Sequence, residues 1–375
     1  MSEQKRYEII VIGGGIAGAS FAYQLGERGV GDVLLLEKEE APGYHATGRS
    51  AAVSYRFDTD WTMQHLRIES TRFFDLPPEG FCENRLLTAS GIMLLFSEET
   101  WPAIPELARL FASQEVRIEL LSPEGAAERV EVLNPAAYAG AAFMPDDGHL
   151  DVHQLLTSYL RGAKKRGARV RCGCEVTSLL VENGRCVGVA TPEGKIRSRW
   201  VINAAGAWAG GIAALAGAAP IAMTPLRRCA ATFASPPGLE AAGWPMVGSQ
   251  DLKIYFKPDA GRLLTSPMDE VPSEPCDARP DDLAIAEAME RLRGLAPRIV
   301  PHALQSKWAG LRTFSPDRLP VVGPDPLLPG FFWHAGQGGS GIETSPELAR
   351  VGVELLLDGK CEGLDAERLS PARFA

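Results

Sequence analysis

The chain opens on a short apolar, β-branched run, Tyr7 to Ile12, that stops at Gly13-Gly14-Gly15-Ile16-Ala17-Gly18. An alanine- and leucine-bearing segment follows to about Arg28, and a second apolar run, Val33 to Leu36, ends on Glu37. Apolar run, glycine turn, helical segment and apolar run predict a βαβ unit. Glycines 13, 15 and 18 allow a tight turn, close approach of a pyrophosphate to the backbone and close helix–strand packing, and the free N–H groups of the helix start attract phosphate charge. Glu37 stands where a carboxylate accepts hydrogen bonds from an adenosine ribose. A glycine turn alone is common; with a strand before it, a helix after it and an acid about 20 residues on, it points to a dinucleotide.

Further along, residues 61 to 75 place Trp61, Leu66, Ile68 and Phe73 at helical spacing, ended by Pro77-Pro78. Leu86 to Phe96 is strand-like, 101 to 130 alternates short helical pieces with turns, Pro145 to Gly148 marks a loop, and 151 to 166 is an amphipathic helix with a basic end. Arg169 to Leu180 and Gly184 to Ala190 are expected as successive strands with Asn183-Gly184 as the hairpin turn. A strand at Trp200-Val201-Ile202 then delivers Asn203-Ala204-Ala205-Gly206-Ala207-Trp208, whose small residues let the chain pass under a ligand. From 220 to 306 the pattern changes to strand pieces interrupted by proline, with a charged helix at 280 to 294. After Trp308 it returns to a strand at Phe331-Phe332-Trp333, a glycine-rich turn and a helix to about Leu357. The expected fold class is α/β: a Rossmann-like cofactor domain from 1-85, 151-219 and 307-375, interleaved with an α+β substrate domain from 86-150 and 220-306 that carries a large mixed or antiparallel sheet.

Composition changes this picture little. The 375 residues are 45% hydrophobic and 23% charged, as in ordinary globular proteins, and the length suggests about two domains. A formal charge of -9 works against nucleic acid or anionic membrane as main partner. Cys82, Cys172, Cys174, Cys186, Cys229, Cys276 and Cys361 are odd in number and scattered, so neither disulfides nor a metal site is expected; the spacing of Cys172 and Cys174 is read as strand alternation. No run of eighteen uncharged apolar residues predicts a membrane span, and the first apolar run leads into a glycine turn and not a cleavage site. A cytoplasmic location is expected, with peripheral attachment to the inner face of the membrane left open.

The loop Ala41 to Ala52 adds small residues, hydroxyls and one cation directly after the βαβ unit, which suits a second grip on a pyrophosphate and ribityl chain. Four ligand-type segments (13–18, 47–52, 203–208, 335–342) therefore imply one cofactor touched by pieces distant in sequence. With a single fingerprint and no separate nicotinamide domain, the simpler reading is a flavoprotein whose FAD is reduced directly by substrate. GGGIAGAS with Glu37, TGRSAA, NAAGAW, WAGLR and GQGGSGIETS, in this order over nearly the entire chain, resemble the glycine oxidase and D-amino-acid dehydrogenase group of FAD oxidoreductases, and within it the D-arginine dehydrogenase-like branch.

That resemblance implies that Gly13, Gly15, Ile16, Ala17, Gly18, Glu37 and Lys38 hold the adenosine half of FAD, with Val176 near the adenine. His45, Thr47, Arg49, Ser50, Ala51 and Ala52 would lie along the cofactor, with Ala204, Ala205, Gly206, Trp208, Gly310 and Arg312. The turn Gly336, Gln337, Gly338, Gly339, Ser340, Gly341, Ile342 would present N–H groups to the pyrimidine edge of the flavin, where reduced flavin carries negative charge. For the substrate, a carboxylate wants a guanidinium fork, and Arg312 matches the family's carboxylate-binding arginine. Arg227 or Arg228 is a second candidate, of which strand alternation lets only one face the pocket. Tyr255, Gly339 and Tyr55 complete the expected set. Ile92 stands where a D-arginine enzyme would place an acid, so an apolar, aromatic or small neutral substrate is favoured, or an acidic one if Arg56 points inward. His45 is read as a packing residue that could touch or bond the cofactor, and His334 as a packed neighbour.

The expected reaction is oxidation of a D-amino acid or related amine by hydride transfer from Cα to flavin N5, the imino acid then hydrolysing to a 2-oxo acid. No catalytic side chain is assigned, because positioning and electrostatics suffice. The alternatives are a secondary amine of the glycine, sarcosine or opine type, a 2-hydroxy acid, or a flavin-binding electron-transfer subunit without turnover. The electron acceptor, oxygen or a quinone, is left open.

Overall fold

The structure, a computed structural model, describes residues 6–112, 114 and 116–375. Its first sheet is eight-stranded, and its centre is parallel. Arg6–Ile12 lies between Gly194–Asn203 and Val33–Leu36, Arg169–Arg171 adds beyond Val33–Leu36, and Phe331–Ala335 pairs with the end of Gly194–Asn203. Parallel strands covered on both faces read as continuous apolar runs. Ile9 and Val11 point into a core with the helices Ile16–Glu27, Val152–Lys165 and Ser345–Leu357. Ile10 and Ile12 point the other way, into a core with Ala209, Ala213 and Trp333.

The second sheet has nine strands: Ile92–Phe96, Glu119–Leu121, Gly140–Met144, Thr224–Ala234, Met246–Ser249, Ile254–Asp259, Arg262–Ser266, Val271–Pro272 and Ser306–Phe314. One of its faces buries Met93, Leu95, Phe233, Val247, Phe256 and Leu263 with Leu292 and Leu295 of the helix Asp282–Leu295. The long pairing of Thr224–Ala234 with Ser306–Phe314 brings Leu226 opposite Arg312 and Arg228 opposite Gly310. We infer the two-domain division (1-85, 151-219 and 307-375 against 86-150 and 220-306) from these sheets, with Ser306–Phe314 as the element that hydrogen-bonds in the second sheet and returns the chain to the first.

Two expected strands are broken by a glycine. Arg169 to Leu180 is not one strand: Arg169–Arg171 closes one edge of the first sheet and Ser178–Glu182 the opposite edge. Between them Gly173 takes φ +62°, and Cys174 N–H donates to the Glu37 carbonyl (2.9 Å), so the chain crosses the strand ends instead of extending. Cys172 and Cys174 therefore owe their spacing to a turn. In the same way Gly91, at φ +83°, splits the run from Leu86 to Phe96 into Leu87–Thr88, paired with Gly148–Leu150, and Ile92–Phe96, paired with Gly140–Met144. The Asn183-Gly184 turn forms as expected, with φ +50° and +73° between Glu182 and Arg185.

Candidate active site

An elongated cavity runs between the two sheets. The opening unit and its surroundings line it with Gly13, Gly15, Ile16, Ala17, Glu37, Lys38 and Val176, and the second sheet and closing turn with Arg228, Ala230, Tyr255, Arg312, Thr313, Gln337, Gly338, Gly339, Gly341 and Ile342; the two sets meet where Ile16 approaches Gly341. Between them lie His45, Thr47, Arg49, Ser50, Ala51, Ala204, Ala205, Gly206, Trp208, Cys276, Ala278 and Gly310. All four glycine-rich or small-residue segments thus face one space.

The glycine turn is tight for stated reasons. A Cβ on Gly13 would lie 2.4 Å from the Ala204 carbonyl, and one on Gly18 would lie 2.0 Å from the Gly13 carbonyl. Gly18 does not line the cavity; it lets helix Ile16–Glu27 sit against the turn. Glu37 Oε2 accepts from Gly14 N–H (2.7 Å) and Oε1 from Glu39 N–H (2.9 Å), which fixes the carboxylate at the end of its strand. Thr47 Oγ1 accepts from Ile16 N–H (3.0 Å), so the loop after the βαβ unit is tied to the helix start.

Several neighbours of this loop are occupied by protein. Arg49 donates to the Ala278 (3.0 Å) and Ala309 (3.1 Å) carbonyls and pairs with Asp277, binding the loop to the opposite wall, so its guanidinium is turned from a phosphate role to a structural one. His45 Nε2 lies 2.7 Å from Glu39 Oε1 and its ring packs on Trp208; this hydrogen bond holds the Glu39 carboxyl below its usual range. The Lys38 ammonium sits 3.4 Å from the Trp208 ring centroid.

At the far end, strand alternation separates the two adjacent arginines. Arg228 shares a sheet face with Gly310 and Arg312, and Arg262–Ser266 carries that face across to Tyr255. Arg227 lies on the other face, paired with Asp281 (2.7 Å) and Asp269 (3.8 Å), and is outside the cavity wall. Arg228 donates to the Asp269 carbonyl (2.8 Å) and Glu270 (3.2 Å), and burial together with the nearby Arg312 guanidinium pulls its pKa down to about 10. A Cβ on Gly339 would lie 2.7 Å from Arg312 Nη1, so only glycine leaves the guanidinium in place.

Other expected residues are elsewhere. Ile92 is on the same sheet side as Tyr255 but is packed with Phe57, Ile104, Phe111 and Met144. Tyr55 covers the Arg67 guanidinium (4.2 Å) and does not line the cavity, and neither do Ala52, Gly336 and Ser340. Ala52 holds the loop at φ +59° and Gly336 the closing turn at φ +75°, while Ser340 accepts from Arg67 (3.0 Å). Arg56 does not point inward: its Nε bonds Asp147 Oδ1 (2.7 Å). His334 is buried against Phe21, and burial lowers its pKa to about 3. Cavity residues not anticipated include Ala230, two positions from Arg228 and thus legible from alternation, and Cys276 and Ala278, which arrive from an irregular segment with no local signal. Among the described residues no cluster of His, Cys, Asp or Glu is placed to hold a metal, and no helix is long and apolar enough to cross a membrane.

A cleft that begins at a phosphate-type glycine turn and ends under a second sheet defines a dinucleotide-binding oxidoreductase fold. The model of the FAD dependent oxidoreductase family matches residues 8–355, and the chain belongs to that family, whose cofactor is FAD. It is 27% identical to the 4-methylaminobutanoate oxidase (formaldehyde-forming) of Paenarthrobacter nicotinovorans over 98% of this chain and 45% of that protein. To the mitochondrial dimethylglycine dehydrogenase of Rattus norvegicus it is 25% identical over 98% of this chain and 45% of that protein. The chain thus spans about half the length of these curated relatives. Among solved structures, L-proline dehydrogenase from P. horikoshii superposes with a TM-score of 0.87 at 26% identity, covering 99% of this chain and 98% of that one. Glycine oxidase from Geobacillus kaustophilus superposes with a TM-score of 0.84 at 24% identity, covering 98% of each, and shows the same fold.

The residues fit the cofactor. The close approach of Gly13, Gly15 and Gly339 to their neighbours leaves backbone, not side chain, facing the space at both ends. Gly206, at φ +53° with open space where a Cβ would be, leaves room midway.

Proposed function

We propose that this protein oxidises an amine that carries a carboxylate, of the N-alkyl amino acid class. The observation that carries this is the convergence of Arg228, Arg312 and Tyr255 on one sheet face at the inner end of the cavity. Two guanidiniums and a phenol make an anion site: Arg312 offers the fork, Arg228 adds charge, and the Tyr255 hydroxyl donates. The lining carboxylates, Glu37 and Glu175, belong to the other end of the cavity, beside Val176 and the glycine turn. Among the described residues no carboxylate lines the cavity beside Arg312 and Tyr255, the nearby Glu270 being held by Arg228, and the two guanidiniums favour the neutral amine with its lone pair free. FAD supplies the two-electron acceptor when bound. The protein's own part is to orient the carboxylate and so set which C–H faces the cofactor.

The named activities of the 4-methylaminobutanoate oxidase, dimethylglycine dehydrogenase and L-proline dehydrogenase support a secondary or tertiary amine. A primary D-amino acid is the second reading, supported by the motif resemblance and by the same carboxylate site. D-Arginine itself fits poorly, because Arg228 and Arg312 already put two cations at this part of the cavity. The test is an anaerobic screen for flavin bleaching over N-methyl amino acids, D-amino acids and 2-hydroxy acids, repeated with Arg312→Met. Fastest bleaching by an N-methyl amino acid, lost in the variant, supports the proposal; equal rates in parent and variant overturn it.

A further inference from the structure

The cavity is walled in part by two stretches from opposite ends of the chain, Ser50–Ala51 and the Gln337–Ile342 turn. Neither stretch lies in a helix or named strand, though the first runs on into the short strand Val53–Ser54, and each backbone must face the same ring if the cofactor is to lie between them. Directly behind both is Arg67, on helix Trp61–Asp75, 5% exposed and outside the cavity wall. Its Nη1 donates to the Phe57 carbonyl (3.0 Å), and its Nη2 reaches Ser340 Oγ (3.0 Å), Asp58 Oδ2 (3.1 Å) and Glu343 Oε1 (3.2 Å). Glu343, equally buried, accepts from Tyr55 N–H (3.2 Å) with its second oxygen, and the Tyr55 ring covers the guanidinium. One buried cation therefore holds the 55–58 segment and the 340–343 segment together.

We propose that the Arg67–Glu343 pair is a positioning device for the ring end of the cofactor: it locks the loop after Ala52 to the closing glycine turn, so that the two backbones stay at a fixed separation. A buried ion pair is a poor way to gain stability, because desolvation offsets its attraction, and apolar residues would fill the same volume. Its use here is directional. A guanidinium presents donors in one plane at set angles: Nη1 meets the 55–58 segment, and Nη2 is shared between Asp58 of that segment and Ser340 and Glu343 of the other. The inference rests on the family's cofactor and not on the choice of substrate, so it stands if the amine reading fails.

The test uses Arg67→Met and Glu343→Gln, each purified with FAD and compared with the parent. In the FAD-free proteins, hydrogen–deuterium exchange is read for peptides covering 53–58, 336–344 and 13–18. In the loaded proteins, the visible flavin spectrum, midpoint potential and FAD dissociation constant are measured. The expected result is faster exchange in 53–58 and 336–344 with 13–18 unchanged. The flavin bands and potential shift, and the dissociation constant rises at least tenfold for Arg67→Met and several-fold for Glu343→Gln. Unchanged flavin bands and potential, or exchange that rises equally in all three regions, would overturn the proposal by showing a purely structural pair. Should Arg67→Met not fold, Glu343→Gln, which keeps the side-chain shape and one of the two acceptors, decides by the same criteria.

Discussion

Arg227 and Arg228 are neighbours in sequence with opposite fates, and the reason is the two-residue period of a strand. Arg312→Met removes the fork from the anion site, and kcat/KM is expected to fall on the order of a hundredfold, about 3 kcal/mol for a charge-assisted pair. Arg227→Met, on the other face and held by Asp281, is expected to change kcat/KM less than threefold; steady-state kinetics on one substrate compares the two. His334 gives a pH signature. Its folded pKa, about 3, lies below its unfolded value, so the unfolded chain takes up the proton first. Stability from this group is complete above about pH 6.5 and declines as pH falls towards 3. Between pH 7 and pH 5 the loss is about 2 kcal/mol. The unfolding free energy from urea titration should therefore fall by about that amount more for the parent than for His334→Leu between the two pH values. Alternation alone says that only one of Arg227 and Arg228 can face the cavity; which one, and the pairing of the other with Asp281, came with the register of the second sheet. Nothing around Arg67 signals its partners, because Asp58, Ser340 and Glu343 reach it only through folding.

Among elements, the opening βαβ unit was legible because its signals are local: a β-branched run, a glycine turn and a helix within thirty residues. The roles inside it are distinct, as the outcome of Gly18→Ala should show. Its Cβ would strike the Gly13 carbonyl, so the helix must move off the turn, and FAD retention is expected to be lost, read as colourless protein after desalting. Thr47→Val removes only the acceptor for Ile16 N–H, at a cost of about 1 kcal/mol. That variant should stay yellow with a modestly lower Tm. The runs through Gly91 and Gly173 were misjudged as continuous strands because an isolated glycine leaves the hydrophobic pattern intact. Its positive φ, and hence the break, is imposed by the partners that the chain meets on either side.

For the whole molecule, the cavity is walled by segments separated by up to about three hundred residues, from Gly13 to Ile342. Bound FAD contacts folded protein only, so it should stabilise the chain by mass action, about 2.7 kcal/mol at a hundredfold excess over its Kd. Thermal unfolding with and without added FAD checks this: the midpoint should rise with FAD concentration. The order of the motifs, the cofactor class and the two sheet-forming regions could be read from residue types, because turn geometry, strand period and charge chemistry act over a few positions. Folding alone settled which residues share the cavity. It left Arg49, Arg56 and Tyr55 to bind protein and turned Arg228 towards Arg312, since hydrogen-bond partners across distant strands are chosen by register and burial, which no local pattern carries.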